Sequence, residues 1–327
     1  MEELFSVGGP VTGKGFYGRR EALGEIKHEL VEKKRLGYAV YGPRRIGKTS
    51  LLKELERELR KSRVVQVVYL DVSGVHPFTA ENFYDQLLYA TVQAILPRLS
   101  AEKRLWEALK GSGEAVARLL RDAEVSVCVK DYLEVRLRLR EEKASLQQLL
   151  AKTMNSIESL ARESKTRVIV VLDEFQFAEK LEPNITWAIR SAVQEWKNAS
   201  IMVSGSEVSL LEQMILPKTA PFYLLLKPLR LGPFDEKTSR QMIEDKFKKA
   251  GIKYDADALH AAFELTGGFP YYLQWLGDKL YDLKASRVTA VEVGEAFEAL
   301  LDEGEVLFLA ELEKLAPAEK EVLIELA

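Results

Sequence analysis

The sequence predicts an α/β fold: a three-layer domain with a mainly parallel sheet, followed by an all-helical domain. Three observations predict it. Short Val- and Ile-rich runs at 64–71, 167–173 and 200–204 alternate with longer segments of helical spacing, and strands that alternate with helices build a parallel sheet covered on both faces. A glycine-bearing turn, Gly42 to Gly47, joins a short apolar strand to a helix. Beyond Asp235 only helical periodicity remains.

Each element has a local reason. The first fifteen residues hold Gly8, Gly9, Pro10, Gly13 and Gly15 and read as an ordered arm outside regular structure. Residues 20–34 place Leu23, Ile26, Leu30 and Val31 on one helical face; a short strand at 38–41 and a helix at 48–61 follow. The run 64–71 is apolar almost throughout and reads as a strand buried on both faces. Helices are expected at Ala80–Ile95 and at 101–123. The period then becomes two. Val125, Val127 and Val129 alternate with Ser126, Cys128 and Lys130, and Leu133, Val135, Leu137 and Leu139 with Glu134, Arg136, Arg138 and Arg140, so a β-hairpin is expected near 124–141. A helix at 144–164, a strand at 167–173, a helix at 184–197, a strand at 200–204 and a short helix after Gly205 complete the pattern. Asp235 can cap a helix over 236–250 and Gly251 can stop it. The expected division is 1–230 for the α/β domain with its arm and hairpin, 231–303 for a helical lid domain, and 304–327 for a helical tail.

Composition bounds the function. A chain of 327 residues is long enough for two domains. Lys and Arg number 47 against 50 Asp and Glu, a net charge of -3, which excludes a globally basic nucleic-acid binder and leaves only a local basic patch. No apolar run reaches the roughly 18–20 residues that span a bilayer, and the acidic start, Met1-Glu2-Glu3-Leu4, has no apolar signal segment. A cytoplasmic protein without membrane insertion is expected. The single cysteine, Cys128, excludes an internal disulfide and a Cys-based zinc site, and His28, His76 and His260 are scattered.

The strongest motif is Gly42-Pro43-Arg44-Arg45-Ile46-Gly47-Lys48-Thr49, a full match to G-x-x-x-x-G-K-[ST] in the strand–turn–helix setting it requires. Glycines let backbone N–H groups turn inward around a phosphate, and the helix N-terminus adds partial positive charge. Lys48 would reach the β- and γ-phosphate oxygens of a nucleoside triphosphate and the Thr49 hydroxyl would ligate Mg²⁺; Ser50, next in line, is counted with the loop. Such a site needs a carboxylate at the end of a neighbouring buried strand. The run Val168-Ile169-Val170-Val171-Leu172 ends in Asp173-Glu174, at the strand edge where α/β ligands bind. Asp173 is assigned to the metal, and Glu174 to the proton or orientation of an attacking water. A polar position is also expected on the strand between them in space: Ser204 or Ser206 could hydrogen-bond the γ-phosphate or the water, although Ser206 can equally be a helix cap.

Together these residues resemble the archaeal ATPase family, which belongs to the signal-transducing STAND branch close to the AAA+ ATPases. The resemblance is carried by Phe16-Tyr17-Gly18-Arg19-Arg20-Glu21, the loop with Arg44-Arg45, Leu172-Asp173-Glu174-Phe175-Gln176, Ser204-Gly205-Ser206 and Gly267-Gly268-Phe269-Pro270-Tyr271-Tyr272-Leu273, and covers about residues 8–300. It implies a P-loop NTPase core that takes ATP or ADP with Mg²⁺, a helical lid, and often a C-terminal winged helix. Phe16, Tyr17 and Gly18, with Arg19, become candidate adenine contacts. Phe269 and Pro270 begin a lid helix over the nucleotide, or simply start a helix. Two departures stand out: no Arg lies between Ser191 and Pro228, and the lid carries Tyr271 and Tyr272 where an Arg is usual. A transition-state arginine is worth on the order of a thousandfold or more, so its absence favours a slow switch over a ring motor. Arg44, Arg45 or Arg190 could compensate, Arg190 reading better as a solvated helix face.

DNA is the partner to weigh. Arg136, Arg138 and Arg140 form a basic stripe, but Glu134, Glu141 and Glu142 flank it, as on a salt-bridged surface. The tail from Leu315 to Ala327 resembles the first helix of a winged helix, so a DNA-reading module is expected to be incomplete in this chain. Tyr271, Tyr272 and Trp275 read as core. The expected function is Mg²⁺-dependent ATP binding with slow hydrolysis to ADP, a nucleotide-controlled switch whose partner is a protein or DNA and whose oligomeric state is open. The alternatives are an ATP-dependent DNA-binding initiator resembling archaeal origin-recognition proteins, and a scaffold that holds nucleotide without turning it over.

Overall fold

A computed structural model describes residues 4–95, 130–131, 134, 144–313, 315 and 320–321. The chain divides into two units, one of Pro10–Gly232 and one of Met1–Gly9 with Pro233–Ala327.

Among the described residues the first unit holds one parallel five-stranded sheet, β1 (Gly37–Tyr41), β2 (Val65–Asp71), β3 (Arg167–Asp173), β4 (Ala199–Gly205) and β5 (Leu226–Arg230), in the order β2-β3-β4-β1-β5. Its helices are α1 (Arg20–Lys27), α2 (Lys48–Leu59), α3 (Ala80–Ile95), α4 (Leu146–Glu163), α5 (Ala178–Leu181), α6 (Ile185–Val193) and α7 (Val208–Ile215). Side chains alternate across a strand, so the sheet feeds two cores. Ala39, Val68, Val168, Val170, Leu172, Ile201 and Val203 pack with buried residues of α3, α4, α6 and α7. On the opposite face Tyr38, Val40, Ile169, Val171 and Met202 are also buried, and α2 packs there against β2 and β4. The parallel α/β class read from the sequence is the one observed.

Local chemistry sets the boundaries. Ser145 and Gln148 cap α4 reciprocally, each side chain bonding the other's backbone N–H. The Glu158 carboxylate accepts from the backbone of Asn198 and Ala199 at 3.0–3.1 Å, which pins the start of β4.

Several expectations need correction. β2 is an edge strand among the described residues and only Val65 and Val68 are fully buried; an apolar run does not report how many strands flank it. β5 was not expected as a strand because Lys227, Pro228 and Arg230 interrupt its hydrophobicity, yet an edge strand tolerates a residue without an N–H. The helix expected at 20–34 continues past α1 through a wide π-helical turn, His28–Glu32. The helix expected at 184–197 is shorter, and α5 precedes it. The helix expected at 101–123 lies outside the described residues, as does most of the hairpin expected near 124–141 with Arg136, Arg138, Arg140 and Cys128. Of that hairpin Lys130, Asp131 and Glu134 are described, and all three are helical; Lys and Glu favour helix over strand. The tail after Leu315 is described only at Lys320 and Glu321, which are helical.

The helical unit contains α8 (Glu236–Ala250), α9 (Ala256–Thr266), α10 (Pro270–Asp282) and α11 (Ala290–Leu312). The Asp235 side chain accepts from Thr238 N at 2.7 Å and Gly251 ends α8 in left-handed conformation. Phe5 is buried in this unit against Phe247 and against Gly277, where an added Cβ would stand 2.1 Å from its ring. The Lys246 ammonium, itself buried, donates to Leu4 O and to Gln274 Oε1. Tyr271, Tyr272 and Trp275 join Phe308 in one aromatic cluster, and Trp275 is buried. No helix among the described residues is long and apolar enough to cross a membrane.

Candidate functional site

β1 delivers the chain to a tight loop that ends on α2. Gly42 closes on Leu231: a Cβ there would stand 2.4 Å from its carbonyl oxygen. Gly47 caps α2 at φ 92, a left-handed conformation that glycine adopts without cost, while Ile46 between them is fully buried and anchors the loop. Lys48 is also buried, and its ammonium donates to Gly42 O at 2.8 Å and Pro43 O at 2.9 Å. Burial pushes that ammonium below its usual range, and the charges of Glu174 and Asp173 act against the shift. A helix N-terminus and a desolvated cation thus face the same loop, the arrangement that suits a phosphate.

The acidic half of the site comes from β3. The strand is buried from Val168 to Asp173. Asp173 Oδ2 accepts from the Thr49 hydroxyl at 2.9 Å and from the Tyr69 hydroxyl at 2.8 Å, and Oδ1 accepts from Glu174 N at 3.0 Å. Burial first, and then the Asp173 charge, raise the Tyr69 phenol above its usual range. The Lys53 ammonium lies 3.3 Å from the centre of the Tyr69 ring. Glu174 itself is left-handed, at φ 50, a conformation that costs a non-glycine residue free energy and gathers at functional sites. Its Oε2 accepts from Ser206 Oγ at 3.0 Å and from Gln176 Nε2.

The fold therefore brings Lys48, Thr49, Asp173, Glu174 and Ser206 together. Ser204 is fully buried on the sheet face that carries Asp173, and its Oγ has no hydrogen-bond partner among the described residues. Ser50 Oγ accepts from Val11 N at 3.0 Å, so it binds the arm. Phe16 is buried with the Arg20 guanidinium 5.5 Å from its ring centre, Tyr17 is half-buried and Gly18 exposed. Arg19 donates to Ile46 O at 3.4 Å and to Gly232 O, which ties the Phe16–Arg19 segment to the loop. Arg44 is exposed and Arg45 left-handed. Arg190, expected on a solvated face, is half-buried over Trp187, with its Nε lacking a partner among the described residues. Phe269 precedes α10 in extended conformation and Pro270 takes its first turn; both belong to the helical unit.

Three residues of this neighbourhood had no role assigned from the sequence, Gln176 among them although it stands in a motif that carries the resemblance. Tyr69 and Gln176 touch the two carboxylates. Glu54, fully buried on α2, accepts from Gly13 N at 2.8 Å and from Arg57 twice at 2.7 Å, holding the arm against the helix. A lone Tyr or Gln in an apolar run carries no sequence signal of its contacts; an ionisable residue on the apolar side of a helix does, and Glu54 could have been noticed that way.

The donor set fits Mg²⁺. A hydroxyl and a carboxylate are hard oxygen ligands, and the ion completes its shell with phosphate and water rather than with a cage of side chains. No group of three or more His, Cys, Asp or Glu that could hold a metal occurs among the described residues.

Comparison with known proteins follows the same direction. A family model for an ATPase domain predominantly from Archaea matches residues 16–276. None of the curated proteins compared matches the chain. Among solved structures, the Walker-type ATPase PAby2304 of Pyrococcus abyssi superposes with a TM-score of 0.66 at 20% identity, over 95% of this chain and 79% of that one. The Aeropyrum pernix ORC2 protein, in ADPNP–ADP complexes, gives 0.57 at 12% identity over 96% and 75%. The Aeropyrum pernix ORC1 protein in complex with DNA gives 0.53 at 16% identity over 94% and 71%. At these identities the likeness is one of fold.

Proposed function

Since the chain belongs to the family of ATPase domains found predominantly in Archaea, we propose that it is a Mg²⁺-dependent ATPase that hydrolyses ATP slowly to ADP and phosphate and works as a nucleotide-controlled switch in the cytoplasm. The hydrogen bond from Thr49 to Asp173 supports this most directly, because it unites the phosphate loop with the carboxylate strand. Lys48 and the loop N–H groups bind the β- and γ-phosphate oxygens, and Phe16, Tyr17, Gly18 and Arg19 are assigned to the base. Thr49 and Asp173 would hold Mg²⁺, which when bound neutralises charge on the phosphate oxygens. Glu174 orients the attacking water and takes its proton. Ser206 and Ser204 are polar groups beside that reaction. Slow turnover is favoured by the lack of any Arg between Ser191 and Pro228, and the switch operates because ATP and ADP bind its conformations with different affinity.

A second reading, ATP-controlled DNA binding, is favoured by the likeness to the ORC1 protein, whose structure is a complex with DNA. One assay tests both. Phosphate release from Mg·ATP is measured for wild type and Glu174→Gln, with and without duplex DNA. Turnover that Glu174→Gln abolishes supports the ATPase, and stimulation by DNA favours the second reading. Absence of wild-type turnover in both conditions rejects autonomous hydrolysis in favour of a nucleotide-holding scaffold.

A further inference from the structure

We propose that Gln176 is the positioning residue for Glu174, and that the bare backbone of Gly205 leaves the room it needs. The inference rests on the reading of Glu174 as the group that orients water. Gln176 is 1% exposed and sits in the tight turn Phe175–Phe177 directly after β3. A carboxylate can only accept, so the carboxamide must present Nε2 to Glu174 Oε2. That choice sends Gln176 Oε1 the other way, where it is buried without a hydrogen-bond donor among the described residues. The oxygen lies against Gly205: a Cβ added there would stand 2.3 Å from it and 2.7 Å from Cδ2 of the buried Leu211. The amide is therefore wedged between a carboxylate and a strand end that has no side chain.

Ser206 completes the arrangement. Its hydroxyl donates to the same Glu174 Oε2 at 3.0 Å and stands 3.3 Å from Gln176 Nε2. Two donors on one oxygen fix the carboxylate and direct its other oxygen, Oε1, to the proton of water. The fold sustains several unfavourable features to achieve this: a left-handed Glu174, a buried carbonyl without a donor among the described residues, and a bare strand end. A core built for stability alone would place an apolar side chain at 176. Unfavourable local choices that converge on one carboxylate mark it as functional.

The test uses the full chain. Phosphate release at saturating Mg·ATP and ATP affinity are measured for wild type, Glu174→Gln, Gln176→Met, Gly205→Ala and Glu174→Gln/Gln176→Met, with thermal unfolding to verify folding. Methionine keeps the length of Gln176 and removes the donor. The expected result is a fall in kcat of about tenfold or more with ATP affinity held within about twofold. Gly205→Ala, which displaces the amide from the other side and presses on Leu211 as well, should give the same split wherever thermal unfolding shows it folded, and then serves in place of a Gln176→Met that does not fold. In the Glu174→Gln background, where turnover is already lost, Gln176→Met should leave ATP affinity within about twofold. An unchanged kcat, a raised kcat, or kcat and affinity falling together would overturn the proposal. Glu174→Gln turning over like wild type would instead overturn the reading of Glu174 beneath it.

Discussion

The Thr49 hydroxyl and the Asp173 carboxylate, 124 residues apart in sequence, are joined by a hydrogen bond of 2.9 Å. It links the first turn of α2 to the end of β3, and Tyr69 from β2 donates to the same oxygen. The proposed metal site is thus held by three elements of the sheet unit.

Asp173→Asn separates charge from structure. With its oxygen in the Oδ2 position the amide can still accept from Thr49 and Tyr69 and gives up only the bond from Glu174 N, so the fold should persist while the negative charge is lost. The Mg²⁺ concentration needed for half-maximal phosphate release should rise by about 10–100-fold. An unchanged Mg²⁺ titration would remove Asp173 from the metal site.

Glu54→Ala should destabilise the protein by about 2–4 kcal/mol in denaturant unfolding, because Gly13 N and the Arg57 guanidinium lose a buried acceptor. The hydrogen bonds from Arg57 first, and from Gly13 N, hold the Glu54 carboxyl below its usual range. A depressed carboxylate gives stabilisation that is complete above the unfolded value, 4.5, and is lost as pH falls through the lower folded value. Glu54→Gln should therefore flatten the loss of stability below that pH, and an unaltered acid limb would contradict the assignment.

Lys246 contributes a burial cost where Glu54 contributes a gain, and the slope with pH has the same sign. Burial lowers its ammonium from 10.5 to about 8. Between those values the unfolded chain holds a proton that the folded chain has released, so stability rises with pH across that window. The rise attributable to this group is roughly 3 kcal/mol at most. Unfolding measured from pH 7 to 10.5 should show it in wild type and lose it in Lys246→Met; equal slopes would place the burial cost elsewhere.

Local devices were legible in the sequence. The loop from Gly42 to Thr49, the Asp235 cap, the Gly251 stop and the helix Ala80–Ile95 follow from backbone preference and side-chain period within a few residues. β5 was hidden because Pro228 and its charges suit an edge position that only the assembled sheet creates. β2 read as buried on both faces for the converse reason, since its valines report apolarity and not what covers them.

The sequence by itself determined the class of fold and the chemistry available to the site: a phosphate loop, a hydroxyl at Thr49 and two carboxylates at a strand end. Those features depend on contacts close along the chain. Which groups meet the carboxylates was decided by the tertiary structure. The order β2-β3-β4 sets Tyr69 beside Asp173 and Ser206 beside Glu174, across 104 and 32 residues. The left-handed turn at Glu174 lets Gln176 fold back over Gly205. Strand order and turn direction are properties of the packed sheet, and a periodic pattern read along one chain carries neither.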